Sequence, residues 1–334
     1  MDITNPHDSA TPASPPGDPA RPAVLSRRQA LIAGGVAAAA LSLPVKAQAQ
    51  NLAGAATTPT RFVDVGGRRL AYRSVGQGKP IVLCQRFLGV LDWWDPGFID
   101  SLAARGFQVV YFDYTGLGQS TGERTYDAVS LAKDAKDLID ALGLRDVVIG
   151  GWSIGGIAAQ IFLATYGADI SHVLLIGTTP PGPLVKTADP IFFSNAADPN
   201  RTVEWYTTAF FEPRDAGSRA AAKLSYDRIF ARTADRSPDV PLDWALAQLA
   251  TLPSNPVFPS DAVLAVLKNT TVPILHLGGD RDIIFPVDNW YALNNQLPTL
   301  KLITYPRAGH GPQHQNPRMA AEQIATFIRG TRRA

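Results

Sequence analysis

The sequence predicts an α/β fold: a mostly parallel sheet with helices on both faces, interrupted by a helical lid before its last strands. Three observations lead there. Short apolar, β-branched runs alternate with stretches of helical periodicity after residue 80. A strand, a sharp glycine-rich turn and a helix follow one another from Val147 to Ala164. The alternation then stops at Pro180-Pro181-Gly182-Pro183 and resumes only at Pro273, a gap of roughly 90 residues that is too long for a plain loop in a compact domain.

Arg61 to Val65 and Arg69 to Arg73 flank Gly66-Gly67, a two-residue hairpin signal. Ile81 to Cys84 and Gln108 to Asp113 read as strands, with a helix around Phe98 to Ala104 between them. From Asp127 to Leu142, apolar Leu131, Ala135, Leu138, Ile139 and Leu142 form one helical stripe, with Lys133, Asp134, Lys136 and Asp137 on other faces. Val147 to Ile149, Val173 to Ile176, Pro273 to Leu277 and Leu302 to Tyr305 complete the strands. Uncharged strands of this kind belong to a sheet covered on both sides. Aromatic pairs mark the insertion: Phe192-Phe193, Trp205-Tyr206 and Phe210-Phe211, with a helix at Leu242 to Leu249.

Size and charge narrow the function. At 334 residues, 46% hydrophobic and 18% charged, the chain is ample for one large core plus an insertion. A net charge of +2 leaves no electrostatic footprint for nucleic acid. One cysteine, Cys84, excludes an internal disulfide and any cysteine-based metal site.

The first residues, rich in Pro, Ala, Ser and Asp, have no apolar periodicity. Ser26-Arg27-Arg28 then precedes an uncharged Ala/Gly/Leu stretch ending in Ala47-Gln48-Ala49. With paired arginines, apolar run and A-x-A in that order, this resembles a twin-arginine export signal, and the apolar part falls short of the roughly 20 residues a membrane span needs. An alanine-rich amphipathic helix or anchor is the alternative. The expected organisation is a disordered region and signal over 1–49, a linker over 50–60, core over 61–179, lid over 180–271 and core again over 272–334. The mature protein would be periplasmic or secreted, without a stable membrane span.

Chemistry centres on Gly151-Trp152-Ser153-Ile154-Gly155. Glycines two before and two after a serine, between strand and helix, hold its hydroxyl on a strained corner beside a helix N-terminus. An ordinary serine in a glycine-rich turn is the alternative. The hydroxyl needs a base. Of five histidines, His7 lies in the N-terminal tail, and His172 and His276 sit at or in apolar strands. His310 follows the last strand, on the sheet edge where Ser153 emerges, and is favoured over His314. The i, i+4 spacing of His310 and His314 would suit a metal, but Pro312 between them and the lack of a nearby carboxylate argue against one. Asp280 and Asp282, after the Pro273 strand, both offer the carboxylate an imidazole needs.

With Asp113-Tyr114-Thr115-Gly116-Leu117-Gly118-Gln119-Ser120, GGWSIGG, GGDRDIIFP and AGH in that order, the region from about Arg61 to Ile328 resembles the α/β-hydrolase superfamily. The resemblance implies an eight-stranded sheet, a Ser153, Asp282, His310 triad, and the choice of Asp282 over Asp280, because the family's acid follows glycine by three and precedes proline by four. It also implies an oxyanion hole from the N–H groups of Phe87 and Ile154. Gln85-Arg86 stand where similar hydrolases often carry His-Gly. Arg86 could narrow the site, supply a cation near the oxyanion or bind a substrate carboxylate, or fold back on Asp92 or Asp95. Trp152 is a second candidate for substrate contact.

The expected reaction is acyl transfer on an ester or lactone with an apolar portion, needing no cofactor. Amide hydrolysis, carbon–carbon hydrolysis and perhydrolysis with haloperoxidase-like outcome are open to the same residues. So is a ligand-binding protein that keeps the fold without turnover.

Overall fold

The computed structural model describes residues 54–333; the expected export signal lies outside the described residues. Eight strands form one sheet: β1 Arg61–Val65, β2 Arg68–Val75, β3 Lys79–Cys84, β4 Phe107–Phe112, β5 Val147–Trp152, β6 Ile170–Ile176, β7 Ile274–Gly279 and β8 Leu300–Tyr305. Their spatial order is β1-β2-β4-β3-β5-β6-β7-β8. β2 runs antiparallel to β1 and β4, and every other neighbour is parallel. Gly66 and Gly67, at φ 57° and 75°, make the β1–β2 hairpin turn that only a left-handed backbone allows. β3 and β5 are almost wholly buried, as strands covered on both faces must be.

The helices are α1 Pro96–Ala103, α2 Ala128–Ala141, α3 Ile154–Tyr166, α4 Pro190–Ala197, α5 Val203–Phe210, α6 Ala216–Phe230, α7 Leu242–Thr251, α8 Asp261–Asn269, α9 Asp288–Tyr291, α10 Pro312–Gln315 and α11 Pro317–Gly330. After β3 the chain crosses to β4 on one side, and after α2 it returns to β5 on the other. The crevice between the carboxyl ends of β3 and β5 is thus the switch point where open α/β sheets place ligands.

Helices α4 to α8 occupy the long gap between β6 and β7. The last of them buries Val263 and Leu267 and packs against α3, acting as the crossover helix that the parallel β6–β7 pair requires. The expected 180–271 segment therefore includes one helix of the sheet's own covering layer.

The rest of the insertion is fastened to the core by buried charge. Arg228 of α6 forks the Asp95 carboxylate with Nε at 2.7 Å and Nη2 at 2.5 Å. Arg73 and Arg232 share the buried Asp92, and Ser237 donates its N–H to the same carboxylate and its hydroxyl to Asp113. Burial pushes the Asp113 carboxyl up to about 6, although Ser237 and the N–H groups of Gln119 and Leu91 pull it down. The second half of the expected 50–60 linker is also packed: Ala55 is buried and takes Asp100 as partner for its N–H, while the Thr60 N–H donates to Asp235. Among the described residues no helix is long and apolar enough to cross a membrane.

Candidate active site

Ser153 sits between β5 and α3 at φ 60°, ψ −123°, a conformation that a side-chain-bearing residue adopts only under constraint. The two flanking glycines supply that constraint. A Cβ on Gly151 would stand 2.0 Å from the Gly155 carbonyl oxygen, and one on Gly155 would stand 2.3 Å from the Cys84 carbonyl oxygen. The corner can therefore pack directly on the end of β3, which brings the 85–87 segment beside the start of α3. Among the described residues, the N–H groups of Phe87 and Ile154 have no hydrogen-bond partner there. Both expected oxyanion donors are thus unpaired.

His310 follows β8, and its Nδ1 lies 2.8 Å from Asp282 Oδ2, with both side chains almost fully buried. The other oxygen, Oδ1, accepts from the N–H groups of Ile284 and Phe285. Burial alone would raise this carboxyl, but the His310 charge, its hydrogen bond and those two N–H donors outweigh burial and hold it below the usual carboxylate range. An ionised Asp282 takes the proton-bearing Nδ1 of the ring, which leaves Nε2 as an acceptor. Nε2 is buried and unpartnered. Asp280, by contrast, is exposed and only accepts a long 3.4 Å contact from the Ala308 N–H. The geometry pairs Asp282 with the imidazole and leaves Asp280 outside.

Ser153 and His310 reach the same corner without a hydrogen bond between them. The Ser153 N–H donates to the Ile176 carbonyl at 2.9 Å, and the next residue, Gly177, is so close to His310 that a Cβ would lie 2.6 Å from its carbonyl oxygen and 3.2 Å from Nδ1. Serine-histidine contacts are often loose before substrate arrives and tighten in the reacting complex.

Trp152 differs from the expectation of substrate contact. Its ring is buried and its indole N–H donates to the His310 carbonyl at 2.7 Å, so it holds the histidine loop. The insertion holds that loop as well, because the Gly311 N–H donates to the Phe210 carbonyl at 2.8 Å and Gly309 lies against the Phe211 backbone. No local pattern reveals these long-range contacts; the Phe210-Phe211 pair was the available signal.

Arg86 does not fold back on Asp92 or Asp95, which other arginines occupy. Its guanidinium carbon lies over the rings of Phe210, Trp93 and Trp152 at 4.5, 4.8 and 5.3 Å. His314 is also structural. Its Nε2 accepts from the Asp95 N–H, its Nδ1 pairs with the Tyr206 hydroxyl, and burial pushes it down to about 3. Both nitrogens being engaged, His314 has no lone pair for a metal shared with His310. His276, buried against Trp290, is pushed down to about 4 by burial, and buried His172 is lowered by the same cause. A cavity of about 490 Å³ opens on the Asp282 side, lined in part by Ile191, Thr208, Phe211, Arg214 and Ile283.

Residues 79–317 match the family model described as alpha/beta hydrolase fold. The chain belongs to the α/β-hydrolase family. Among its relatives, the non-heme haloperoxidase of Rhodococcus erythropolis is 28% identical over 276 residues, covering 78% of this chain and 96% of that one. The alpha/beta hydrolase fold protein from Chitinophaga pinensis superposes with a TM-score of 0.70 at 27% identity, over 84% of this chain and 100% of that one. The esterase RhEst1 from Rhodococcus sp. ECU1013 shares the fold at a TM-score of 0.61 and 22% identity, over 81% and 98% of the two chains. In this α/β-hydrolase the elbow serine follows β5 and Phe87 follows the adjacent β3, while the buried imidazole–carboxylate pair comes from the loops after β7 and β8 and lies against Gly177 at the end of β6.

Proposed function

We propose that this α/β-hydrolase cleaves a carboxylic ester or lactone through an acyl-enzyme on Ser153. The observation that supports it most is the buried His310–Asp282 pair, whose Nε2 is left without a hydrogen-bond partner, as a base for the Ser153 hydroxyl requires. In the reaction the hydroxyl proton passes to His310 Nε2 as Oγ bonds to the substrate carbonyl carbon. The carbonyl oxygen, now an anion, is met by the N–H groups of Phe87 and Ile154. The tetrahedral centre collapses, His310 returns the proton to the departing alkoxide, and water repeats the sequence to release the acid and restore the serine. Asp282 keeps the imidazole oriented and offsets the charge of its protonated form. The apolar rings of Phe210 and Phe285 against the His310 imidazole suit a substrate with an apolar portion.

A fluorophosphonate probe should label the folded protein, and Ser153→Ala should abolish labelling. Absence of labelling on folded wild type would leave a ligand-binding protein instead. A panel of p-nitrophenyl esters and lactones of rising chain length then defines the substrate.

The haloperoxidase named among the relatives favours one second reading. Hydrogen peroxide in place of water would attack the acyl-enzyme to give a peracid and free serine. Peroxide- and carboxylate-dependent bromination lost with Ser153→Ala would support it. Export through residues 1–49 rests on the Arg27-Arg28 pair and the Ala47-Gln48-Ala49 pattern. A mature N-terminus near Gln50 in the exported fraction is the expected result, and retention of Met1 would sink that part of the proposal.

A further inference from the structure

Among the described residues, Arg86 is a buried cation without a carboxylate partner. Of its guanidinium nitrogens only Nη1 is engaged, donating to the Phe87 carbonyl at 2.7 Å, while Nε and Nη2 are buried and unpartnered. Those two atoms form the side-on fork of an arginine. Arg228 uses the same pair, Nε and Nη2, to hold both oxygens of Asp95 in this protein.

The surroundings keep the cation in place without filling the fork. Three aromatic faces flank it, which favours a cation electrostatically but satisfies no N–H donor. Burial lowers the guanidinium only to about 10, so it stays charged at neutral pH. Arg201, stacked on Trp205, adds a second positive charge close enough to depress it further. The Gln85 carboxamide is also buried and unpartnered at both its atoms, and its oxygen and the Arg86 Cγ close on Gly89, where a Cβ would lie 3.0 and 2.9 Å from them.

This fork belongs to the reaction corner. Arg86 directly precedes Phe87, one of the two unpaired N–H donors. Two of its rings, Trp152 and Phe210, also flank the His310 imidazole, at 5.9 and 6.2 Å between ring centres. One aromatic ring thus separates the guanidinium from the imidazole.

We infer that Arg86 binds a carboxylate on the substrate through its Nε and Nη2, so that the preferred substrates are esters or lactones carrying a second, free carboxylate a short carbon chain from the scissile carbonyl. This rests on the acyl-transfer reading of Ser153. Planar, two-oxygen anions match the fork, whereas a carboxamide of the same shape offers one acceptor oxygen without charge and turns its own N–H donors toward the other nitrogen of the fork. Ser153 and Arg86 are both buried, so such a substrate enters by displacing part of the aromatic cover.

Equilibrium binding to the Ser153→Ala protein, by calorimetry, tests the assignment without turnover. The probes are monomethyl esters of linear dicarboxylic acids from succinate to suberate, each beside its counterpart with a carboxamide in place of the free carboxylate. At one or more chain lengths the carboxylate should bind at least about ten-fold tighter than the carboxamide. Adding Arg86→Gln should abolish that preference, and Arg86→Lys, which keeps the charge but not the fork, should restore only part of it. Equal affinity of carboxylate and carboxamide at every length overturns the proposal. So does a preference that survives Arg86→Gln in a folded protein. If Arg86→Gln does not fold, the comparison in the Ser153→Ala protein alone decides. Fluorophosphonate labelling of wild type reports separately on the nucleophile, so loss of one reading is distinguishable from loss of the other.

Discussion

The indole N–H of Trp152 donates to the main-chain carbonyl of His310 at 2.7 Å, joining residues 158 apart in the chain. The residue next to Ser153 thereby ties the elbow to the His310 loop. Trp152→Phe keeps most of the ring packing against Phe210 and His314 but removes the donor. It should lower kcat by about ten- to a hundred-fold, since small misplacements of a catalytic group carry penalties of that order. KM should change little. Steady-state kinetics on the best ester of the panel checks this, and an equal rise in KM would assign Trp152 to substrate contact instead.

Asp282 and Asp280 stand two residues apart with opposite surroundings. Asp282→Asn would present the wrong hydrogen-bonding partner to His310 Nδ1, and kcat should fall by about 10³- to 10⁴-fold. Asp280→Asn alters an exposed side chain and should leave kcat within about three-fold of wild type. The reverse ranking would show that the wrong carboxylate is paired in solution.

Gly155→Ala tests the corner itself. The new Cβ would meet the Cys84 carbonyl oxygen at 2.3 Å, and both partners are backbone, so neither can swing away. Overpacking of this kind should destabilise the fold by about 3 kcal/mol or more. Guanidinium denaturation measures it. A variant as stable as wild type would mean that β3 and α3 are not so tightly apposed.

Buried His314 and His276 should make the fold sensitive to acid. Their native values, about 3 and about 4, lie below that of an unfolded histidine. As pH falls from near neutrality toward those values, the unfolded chain takes up protons that the native state refuses, so stability is lost on acidification and regained as pH rises. Each group contributes at most about 1.4 kcal/mol per pH unit in that window. Asp282, held low, adds to the loss at more acid pH. Urea denaturation at pH 7 and pH 5 should show the decline, and His314→Gln, though less stable at pH 7, should show a shallower one. An unchanged slope would mean that His314 is charged in the native protein.

The local sequence determined the strands, the hairpin glycines, the elbow around Ser153 and the acid and imidazole loops, because those features depend on periodicity, glycine steric freedom and short spacing. It left open whether Arg86 turned toward the site or back on Asp92 and Asp95, and it placed Trp152 toward substrate. Those outcomes depend on which other side chains arrive first. Arg73 from the nearby β2, and Arg228 and Arg232 in and just past the distant α6, take the two aspartates, and Phe210 from the insertion closes the aromatic wall around Arg86. Competition for partners that draws in residues more than a hundred positions away, such as Arg228, Arg232 and Phe210, is settled only by packing, and the open fork of Arg86 is what that packing leaves behind.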